Sequence, residues 1–516
     1  MYLTQGLHRS LQQHPHKLAT VFGTRRHSYG QFAQRVARLA AALQSLGVGV
    51  GDRVAMLAQN SDRYLEYFLA VWWAGAVANP LNTRWSAAEI VYALNDCATG
   101  VLLVDDSSLP LLDAVRGRAP ALRSVIHAGE AATPDGLLAY EVLIDAASPI
   151  EDARRSGDDL AAILYTGGTT GFAKGVMLSH GNCWASSIAR MAEINNPAEG
   201  CTLIVAPLFH VAGLGRLIGH SIIGGSCVML GGFRPDAVLA TIEAEHIHDV
   251  VLVPSMIQML LDAPALATSR LSSLKRIVYG AAPMPLALLE RALDALPTVE
   301  FIHTYGMTET AASVCVNKDH SAEARRTGVV RSAGRAGYGT EVRIVDALGE
   351  EVPRGTVGEI TVRGPTVMLG YWNKPEETRA ALRDGWLYTG DGARMDEQGN
   401  IYVVDRIKDM IISGGENVYS AEVEQAIVQH AAVAACAVIG VPNVQWGEAV
   451  HAVVVLRPGA RLDAAALGAH CRTLLAAYKC PKSVEFRAAL PMSAAGKVLK
   501  NALRQALSAQ QNTAAA

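Results

Sequence analysis

Residues 165–176 read Tyr-Thr-Gly-Gly-Thr-Thr-Gly-Phe-Ala-Lys-Gly-Val, and they follow the apolar run 160–164, which predicts a buried strand. With four glycines, three threonines and one lysine, the stretch is too rich in glycine for a helix or a strand, so we expect a loop. Glycines allow backbone N–H groups to turn toward one point, and the hydroxyl and ammonium groups add further donors. The stretch therefore predicts a concave anion site suited to a polyphosphate.

The spacing in this loop differs from that of a Walker A loop. Lys174 lies three residues after Gly171 and precedes Gly175, whereas the Walker pattern requires Gly-Lys followed by Ser or Thr. A flexible surface linker is the alternative interpretation. The Thr-Thr pair and the lysine directly after a buried strand make the phosphate site the stronger hypothesis.

The composition is that of an ordinary globular protein. A chain of 516 residues with 50% hydrophobic and 18% charged residues can bury large cores, and its length predicts about two to four domains. The net charge of −3 gives no electrostatic reason to expect nucleic acid or an anionic membrane as a partner. The eight cysteines include no Cys-x-x-Cys pair, and the start of the chain lacks a signal-peptide core. We therefore expect reduced thiols, no integral membrane anchor and a cytoplasmic location.

Alternating strand and helix patterns predict the fold class. Ser28 and Ser86 each begin a capping box, which predicts helices starting there, and the apolar run 53–57 predicts a strand. Repeated β–α units indicate an α/β fold in which helices cover mostly parallel sheets. The strand patterns at 203–206 and 250–253 each lead into a proline-containing loop, and open α/β sheets bind ligands at such strand ends.

The pattern changes toward β structure in the second half of the chain. Strand patterns at 341–345 and 358–362, separated by turn residues, predict a small β-rich subdomain. We expect a large domain at 1–405 that includes this subdomain at 328–405, a connection at 406–409 and a compact C-terminal α+β domain at 409–516. The last residues, from 508, are rich in Ala and Gln and are expected to be frayed.

Several motifs occur together in one order along the chain. Besides residues 165–176, they are Ala-Pro-Leu-Phe-His at 206–210, Tyr-Gly-Met-Thr-Glu-Thr at 305–310, Tyr-Thr-Gly-Asp at 388–391, Asp-Arg at 405–406 and Pro-Met-Ser-Ala-Ala-Gly-Lys at 491–497. With these motifs the chain resembles the AMP-forming acyl-CoA synthetases of the adenylate-forming superfamily over nearly its full length. Each motif alone is weak evidence for the family, and the resemblance depends on their joint occurrence in this order.

The resemblance implies a two-step reaction. A carboxylate attacks the α-phosphate of ATP to give acyl-AMP and pyrophosphate, and CoA then displaces AMP to give acyl-CoA. ATP, Mg²⁺ and CoA are therefore the implied cofactor and co-substrates. Because the first step brings two anions together, positive charge and oriented donors should dominate catalysis.

The resemblance also implies which residues bind the phosphates. The β- and γ-phosphates would be bound by Thr166, Gly167, Gly168, Thr169, Thr170, Gly171 and Lys174. Glu309 would be the magnesium ligand, and Thr308 would contact the α-phosphate. Gly168 stands where many relatives have Ser, and Ala173 stands where most have Pro, so we expect a weaker grip on the outer phosphates.

The nucleoside would be held by residues from three of the motifs and one further segment. The adenine shelf would be Gly280, Ala281, Ala282 and Pro283, with Tyr305 stacking on the other face of the base. Asp391 would accept hydrogen bonds from the ribose hydroxyls, and Arg406 would donate to the same ribose. Ordinary core or surface positions are the alternative for each of these residues.

The C-terminal domain is implied to be mobile. Lys497 would lie over the reacting carboxylate and the α-phosphate during adenylation. Rotation about the hinge residue Lys408 would then replace it with the face where the CoA thiol enters. The residues of that face are Ser413, Gly414, Gly415 and Glu416. A surface lysine and a plain turn are the alternative interpretations.

The acyl pocket is implied by residues that follow two of the motifs. His210 would gate the pocket, and its lining would be Val211, Ala212, Gly213, Leu214, Ser255, Gly306, Ala311 and Ala312. The lining residues are small or apolar and include no charged partner, and the lack of an Asp beside His210 argues against amino-acid substrates. We predict a medium- or long-chain fatty acid, with an aryl acid of the benzoate or cinnamate type as the alternative.

Two further functions stay open. One is an acyl-AMP ligase that loads a carrier protein, and the other is an adenylate-binding regulator without turnover. The presence of Glu309 and Lys497 weighs against the regulator. The expected partners are a small-molecule carboxylic acid, ATP and CoA, without nucleic acid, and a homodimer is left open.

Overall fold

The structure, a computed structural model, describes residues 1–166, 173–197, 200–413, 416–443, 445–492 and 498–515. The chain forms two compact units. One contains Met1–Glu341 and Val362–Leu387, and the other contains Val342–Thr361 and Tyr388–Ala516. The domain boundary expected at 406–409 does not coincide with this division and stays a prediction.

The first unit contains a nine-stranded sheet, counted over the described residues. Its strands, in spatial order, are Arg335–Ala336, Cys315–Asn317, Glu300–Tyr305, Arg276–Gly280, Asp249–Leu252, Cys201–Ile204, Ser226–Met229, Leu18–Phe22 and Arg25–Ser28. The strands from Glu300–Tyr305 to Leu18–Phe22 are parallel to their neighbours, and the outer strands are antiparallel. Parallel strands end at a common edge, so this sheet aligns the loops that follow 204, 252, 280 and 305.

A second sheet of the same unit has eight strands in the described ranges. In spatial order they are Gly370–Tyr371, Lys174–Ser179, Leu160–Thr166, Val77–Pro80, Arg53–Leu57, Val101–Val104, Ser124–His127 and Leu138–Ala139. The strands from Leu160–Thr166 onward are parallel. The first three strands pair antiparallel, so the sheet is mixed at the edge where residues 165–176 lie.

Helices cover both sheets of the first unit. The α-helices are Gln5–Gln13, Tyr29–Ser45, Asp62–Trp73, Ala87–Asp96, Leu112–Arg116, Tyr140–Ala146, His180–Glu193, Val211–Ile223, Pro235–Ala244, Pro254–Asp262, Leu286–Ala295, Ala322–Thr327 and Pro375–Ala381. Short 3₁₀ helices lie at Asp106–Leu111, Pro264–Thr268, Thr308–Thr310 and Val329–Arg331.

The largest hydrophobic core of this unit lies between its two sheets. Every residue of the helix Asp62–Trp73 is buried, and the core joins it to Met56 of one sheet and Ile204 of the other. Two further cores cover the outer faces of the sheets, beneath helices such as Pro235–Ala244 and Ala87–Asp96. The resulting order of layers is helix, sheet, helix, sheet, helix, which confirms the expected α/β class.

Apart from Gly370–Tyr371, the strands described between residues 341 and 406 form a separate five-stranded sheet. They are Glu341–Val345, Gly358–Arg363, Trp386–Met395 and Leu382–Arg383 in spatial order, with Ile401–Arg406 also paired to Trp386–Met395. The strands predicted at 341–345 and 358–362 are therefore confirmed.

The C-terminal part of the second unit is a small α+β structure. Its strands are Glu416–Val418, Ile411–Ser413, Gly447–Leu456 and Val433–Asn443 in spatial order, with Ser483–Phe486 paired to Gly447–Leu456. Its helices are Ser420–Val428, Ala464–Leu474 and Lys500–Ala515, and a 3₁₀ turn lies at Ile407–Asp409. The residues from 508 to 515 belong to this last helix, and Leu503 packs against Ile439 and Val453. Fraying of the end from 508 stays a prediction.

Helix starts were predicted accurately where a capping box is present. Ser28 Oγ accepts a hydrogen bond from the Gln31 N–H, and Gln31 Oε1 accepts one from the Ser28 N–H, so the predicted capping box is confirmed. Ser86 forms the second predicted box. The strand predicted at 53–57 is also confirmed.

Candidate active site

The Gly-rich stretch connects the two strands of an antiparallel hairpin. Thr166, at the end of Leu160–Thr166, lies opposite Lys174, at the start of Lys174–Ser179. The expectation of a loop over all of 165–176 was therefore wrong at both ends, because these two residues belong to strands. Gly175 allows the close pairing, since a Cβ there would lie 2.7 Å from Cγ2 of Ile163. The predicted phosphate-binding residues Gly167, Gly168, Thr169, Thr170 and Gly171 lie outside the described residues.

Tyr371 connects the predicted phosphate-binding lysine to the predicted magnesium ligand. It lies on the short strand Gly370–Tyr371, which pairs with the strand that begins at Lys174. The ammonium of Lys174 lies 4.9 Å from the centroid of the Tyr371 ring, a cation–π contact. The Tyr371 hydroxyl donates a 2.9 Å hydrogen bond to Oε1 of Glu309. The structure thus brings Lys174 and Glu309 to the same side chain.

Sequence reasoning missed Tyr371. It is 62 positions from Glu309, and no local pattern marks it, because its role depends on the pairing of its short strand. The sequence Gly-Tyr-Trp at 370–372 offered the one available signal, an aromatic pair after a glycine. That signal predicts strand structure and no particular chemistry.

Glu309 lies in a tight turn, and its side chain is buried. Thr308–Thr310 form one 3₁₀ turn, and Thr310 Oγ1 accepts a 3.1 Å hydrogen bond from the N–H of Met307. Ala311 and Ala312 follow with φ of 51° and 102°, in the left-handed region. Gly306 is required here, since a Cβ would lie 2.1 Å from the carbonyl oxygen of Ala312. The turn fixes a carboxylate beside a half-buried threonine, Thr308.

The predicted adenine shelf lies at the carboxyl edge of the nine-stranded sheet. Gly280 ends one strand and pairs with Thr304, next to Tyr305 on the parallel neighbour. A Cβ on Gly280 would lie 2.2 Å from the Thr304 carbonyl oxygen, so only glycine fits the close approach of the strands. Ala281 follows with φ of 63°, and the remaining shelf residues are Ala282 and Pro283. The structure thus places the shelf and Tyr305 on neighbouring strands.

The predicted acyl gate, His210, precedes the helix Val211–Ile223 directly. Its ring packs on that of Phe209, with centroids 4.6 Å apart. Gly213 allows the helix to approach the preceding loop, since a Cβ there would lie 2.4 Å from the Pro207 carbonyl oxygen. The helix and the loop are therefore packed backbone to backbone, with half-buried Val211 at the start of the helix.

Asn60 holds the same loop and was not predicted. Its side-chain amide donates a 2.9 Å hydrogen bond to the Ala206 carbonyl, and its Oδ1 accepts one of 2.9 Å from the Leu208 N–H. Asn60 is buried, so these hydrogen bonds satisfy both of its polar groups. They fix the loop that carries His210.

A buried charged cluster involves the helix Val211–Ile223, which we call the acyl helix because it follows the predicted acyl gate His210. Arg216 forms an ion pair with Asp249, and both side chains are buried. Thr202 Oγ1 donates a 2.5 Å hydrogen bond to the Asp249 carboxylate, and the ring of His220 lies 3.6 Å from it. Burial alone would raise the pKa of Asp249, but Arg216 and His220 hold it far below its usual range.

The second unit contains the predicted ribose residues. Asp391 and Arg406 are opposite each other on paired strands, and Arg406 Nε lies 2.6 Å from Asp391 Oδ1. The neighbouring Gly390 N–H donates a 2.8 Å hydrogen bond to Oε1 of Glu359. A carboxylate and a guanidinium are therefore adjacent, as an interaction with a vicinal diol requires.

The predicted hinge and CoA face lie further along the same unit. Lys408 is in the 3₁₀ turn Ile407–Asp409, and burial and the adjacent Arg406 lower its pKa. Buried Ser413 lies opposite exposed Glu416 on paired strands. Gly414, Gly415 and the predicted catalytic Lys497 lie outside the described residues.

Comparison with known families accounts for this arrangement. The family model of the AMP-binding enzymes matches residues 7–372, and that of the AMP-binding enzyme C-terminal domain matches residues 422–497. The chain belongs to the AMP-binding enzyme family. It is an adenylate-forming acid–thiol ligase of the acyl-CoA synthetase type, as the motifs predicted.

Relatives of this AMP-binding enzyme act on different acids. The feruloyl-CoA synthase of an Amycolatopsis species is 42% identical over 501 residues, which cover 96% of this chain and 97% of the relative. The indoleacetate–CoA ligase of Aromatoleum aromaticum is 37% identical over 508 residues and 98% of each chain. The medium/long-chain-fatty-acid–CoA ligase FadD8 of Mycobacterium tuberculosis is 36% identical over 516 residues, 96% of this chain and 88% of the relative.

A solved structure supports the fold of this AMP-binding enzyme. The anthranilate CoA ligase AuaEII, in complex with anthranoyl-AMP, has a TM-score of 0.91 to this chain at 30% identity. The similarity covers 99% of this chain and 98% of that structure. The whole chain therefore shares the fold of a ligase that holds an acyl-adenylate.

An AMP-binding enzyme of this type uses ATP, Mg²⁺ and CoA. The described residues contain no cluster of three His, Cys, Asp or Glu that could hold a metal ion on its own. This fits Mg²⁺, which binds through one or two carboxylates together with substrate phosphates. Glu309 is a buried carboxylate oriented by Tyr371, so it can hold the ion that withdraws charge toward pyrophosphate. In the described ranges no helix is both long and apolar enough to cross a membrane.

Proposed function

We propose that this AMP-binding enzyme joins an aromatic carboxylic acid of the cinnamate type to CoA. The products of the first step would be aryl acyl-AMP and pyrophosphate, and those of the second would be aryl acyl-CoA and AMP. Support for the aromatic acid comes from the feruloyl-CoA synthase and indoleacetate–CoA ligase relatives, which are 42% and 37% identical. This favours the aryl alternative over the fatty acid that the sequence first suggested.

The observation that carries the proposal is the packing around the acyl loop. Gly213 and Gly306 lie where a Cβ would meet backbone at 2.4 and 2.1 Å. Ala311 is buried, and its carbonyl accepts a hydrogen bond from Ser186 Oγ of the helix His180–Glu193. The backbone around the proposed pocket is therefore closely packed, so the pocket would be rigid. Such a preformed site would favour a planar acid, because a flexible chain loses more entropy on ordering.

The roles of the individual residues are part of the proposal. Lys174 and Thr166, with the loop they flank, would bind the outer phosphates, Glu309 would hold Mg²⁺ and Thr308 would contact the α-phosphate. The nucleoside would be held by Gly280, Ala281, Ala282, Pro283, Tyr305, Asp391 and Arg406. Lys497 would neutralise the charge of the adenylation step, and a rotation at Lys408 would then present the face of Ser413, Gly414, Gly415 and Glu416 to CoA.

A fatty acid is the second candidate substrate. The similarity to the medium/long-chain-fatty-acid–CoA ligase FadD8, at 36% identity, supports it. Both candidates share the same nucleotide chemistry and differ in the shape of the acyl group. They can therefore be separated by substrate preference alone.

The test is the specificity constant for acyl-CoA formation over a panel of acids. The panel contains benzoate, cinnamate, 4-hydroxycinnamate, indoleacetate, octanoate and palmitate, with free CoA as the acceptor. We expect a cinnamate-type acid to have the highest kcat/KM. A higher kcat/KM for octanoate or palmitate would establish the second candidate, and adenylation without CoA thioester formation would indicate a carrier-protein ligase.

A further inference from the structure

Arg190 is a buried cation in the last turn of the helix His180–Glu193. Its side chain packs against the acyl helix Val211–Ile223, where its guanidinium donates to the Gly215 carbonyl. A Cβ on Gly215 would lie 3.0 Å from the guanidinium nitrogens, so glycine makes room for this contact. Arg190 is 7% exposed. Burying a guanidinium in this way requires polar partners on its other nitrogens.

Those partners are not provided by an acidic residue. Asp249, the carboxylate of the nearby charged cluster, is paired with Arg216, and no described carboxylate forms an ion pair with Arg190. Burial and the like charge of Arg216 lower the pKa of Arg190 to about 9. The residue is therefore still a cation at neutral pH.

A small, mostly apolar crevice lies beside the guanidinium. Its volume is about 10 Å³, and its lining includes Arg190, Glu193, Ser313 and Thr366. The Glu193 carboxylate is paired with Lys318 at 3.3 Å. A space of this size holds one group as large as a water molecule. The Nε of Arg190 and the Oγ1 of Thr366 are both buried without a hydrogen-bond partner among the described residues. A donor and a group that can accept thus face one atom-sized space.

The crevice adjoins the loop that we propose to line the acyl pocket. Ser186, on the same helix as Arg190, donates a 2.5 Å hydrogen bond to the carbonyl of Ala311. On the other side, the N–H of Gly337 donates a 2.8 Å hydrogen bond to the carbonyl of Val314. The residues from 311 to 314 therefore lead from the Glu309 turn to the crevice, which Ser313 lines.

We propose that Arg190 and Thr366 bind a hydroxyl oxygen at the end of the acyl group remote from the reacting carboxylate. The inference rests on the proposed aromatic substrate and narrows it to acids that carry a phenolic hydroxyl. The oxygen accepts a hydrogen bond from Arg190 Nε, and its hydrogen is donated to Thr366 Oγ1. Both buried polar groups are then satisfied, and the crevice accommodates a single oxygen but not a carboxylate.

This arrangement makes Arg190 a specificity-determining residue. An acid that lacks the hydroxyl leaves the buried guanidinium and the threonine hydroxyl without hydrogen-bond partners. Sites discriminate most strongly against an analogue when its binding leaves buried polar groups unpaired. A purely structural Arg190 would stabilise the fold without distinguishing between two acids of the same shape.

The test compares cinnamate with 4-hydroxycinnamate, which differ by the one hydroxyl. We expect kcat/KM of the full-length enzyme to be at least about 10-fold higher for 4-hydroxycinnamate, as for a hydrogen bond to a charged donor. In Arg190→Met, which keeps the length of the side chain, and in Thr366→Val, which keeps its shape, the ratio of the two kcat/KM values should fall toward one. Arg326→Met is the matched control, since Arg326 is an exposed cation paired with Glu323 outside the crevice lining, and should leave the ratio unchanged.

Three results would overturn the inference. They are equal kcat/KM values for the two acids in the unsubstituted enzyme, an unchanged ratio in both variants, or a lowered ratio in Arg326→Met as well. If Arg190→Met does not fold, the kcat/KM ratios of the unsubstituted enzyme and of Thr366→Val still test the inference. Failure of the enzyme to activate either acid while it activates octanoate would reject the proposed acid class and this inference with it, whereas equal activity would reject the inference alone.

Discussion

The hydroxyl of Tyr371 donates a 2.9 Å hydrogen bond to Oε1 of Glu309, while the ammonium of Lys174 lies over the ring of the same tyrosine. One side chain therefore orients the carboxylate assigned to magnesium and contacts the lysine assigned to the outer phosphates. The hydrogen bond restricts Glu309 to one rotamer before ATP arrives. Such preorganisation lowers the cost of charge stabilisation in the transition state.

Tyr371→Phe should lower kcat/KM for adenylation by about 10- to 100-fold, the effect of losing a hydrogen bond to a charged group. Phe retains the ring over which Lys174 lies, so the loss is confined to the orientation of Glu309. The concentration of Mg²⁺ required for half-maximal rate should rise as well. Acid-dependent pyrophosphate release measures both quantities.

Tyr402→Phe is the control for this variant, because the Tyr402 hydroxyl also donates to a carboxylate, that of Asp396, at 3.2 Å. Asp396 has no assigned role in the reaction, so this control should be close to the unsubstituted enzyme. An unaltered magnesium dependence in Tyr371→Phe would contradict the role given to this tyrosine.

Asp249→Ala should destabilise the protein by about 3 to 5 kcal/mol, because it leaves the buried Arg216 without its partner. Urea unfolding followed by tryptophan fluorescence measures the change. Glu376→Ala removes one partner of an exposed pair with Arg379 and should cost less than about 1 kcal/mol. Equal effects of the two substitutions would show that the buried cluster does not stabilise the fold.

Stability should fall as the pH is lowered from about 6.5 to 4, the range between the unfolded and folded pKa values of two buried histidines. Burial lowers the pKa of His180 and of His303 to about 4. In this range the unfolded chain binds protons that the folded chain excludes, so each histidine contributes a slope of up to about 1.4 kcal/mol per pH unit. Above the unfolded pKa the contribution of each is constant.

His180→Leu tests this dependence without removing a side-chain hydrogen bond, since neither ring nitrogen of His180 has a partner among the described residues. The slope of unfolding free energy against pH should decrease in this variant. His16→Leu, at an exposed position, is the control and should keep the full slope. The same slope in both variants would contradict the prediction.

Lys408→Pro should impair thioester formation more than adenylation. Proline fixes φ and removes the backbone N–H, so it would restrict the rotation assigned to this position. Single-turnover formation of acyl-AMP and its consumption by CoA measure the two steps separately. Lys408→Ala, which keeps backbone freedom, should leave the ratio of the two rates unchanged. Unchanged rates of both steps in the proline variant would contradict the assignment of Lys408 as the hinge.

Lys497→Ala should lower adenylation by about 10²- to 10³-fold, the range for loss of one preorganised charge-stabilising group. Transfer from preformed acyl-AMP to CoA should be much less affected. Lys482→Ala, at an exposed position of the same unit, should leave both steps unchanged. Equal losses in the two half-reactions of Lys497→Ala would contradict its assignment to the first step.

Much of the fold could be predicted from local signals. The capping boxes at Ser28 and Ser86 mark real helix starts, because a cap depends only on residues within one turn. The strand at 53–57 is apolar on both faces, as a buried parallel strand should be. The elements between 105 and 156 were not predicted, since short segments such as Ser124–His127 carry too little periodicity.

Residues of the candidate site could be predicted where they stand together in one sequence motif. Glu309 and Thr308 stand in one motif, and the structure keeps them in one turn. Tyr371, Asn60 and Thr366 could not be found, because their roles come from contacts between segments far apart in the sequence. The strand position of Lys174 was missed for a related reason, since hairpin pairing overrides the low strand preference of a Gly-rich stretch.

In the proposed reaction the enzyme joins an aromatic acid to AMP before it makes a thioester. The most direct measurement mixes the enzyme with Mg²⁺, ATP and 4-hydroxycinnamate in the absence of CoA and traps the product with hydroxylamine. We expect the hydroxamate of the acid together with an equal amount of pyrophosphate, and the CoA thioester when CoA replaces hydroxylamine. Absence of hydroxamate and of acid-dependent pyrophosphate with this acid would contradict the account.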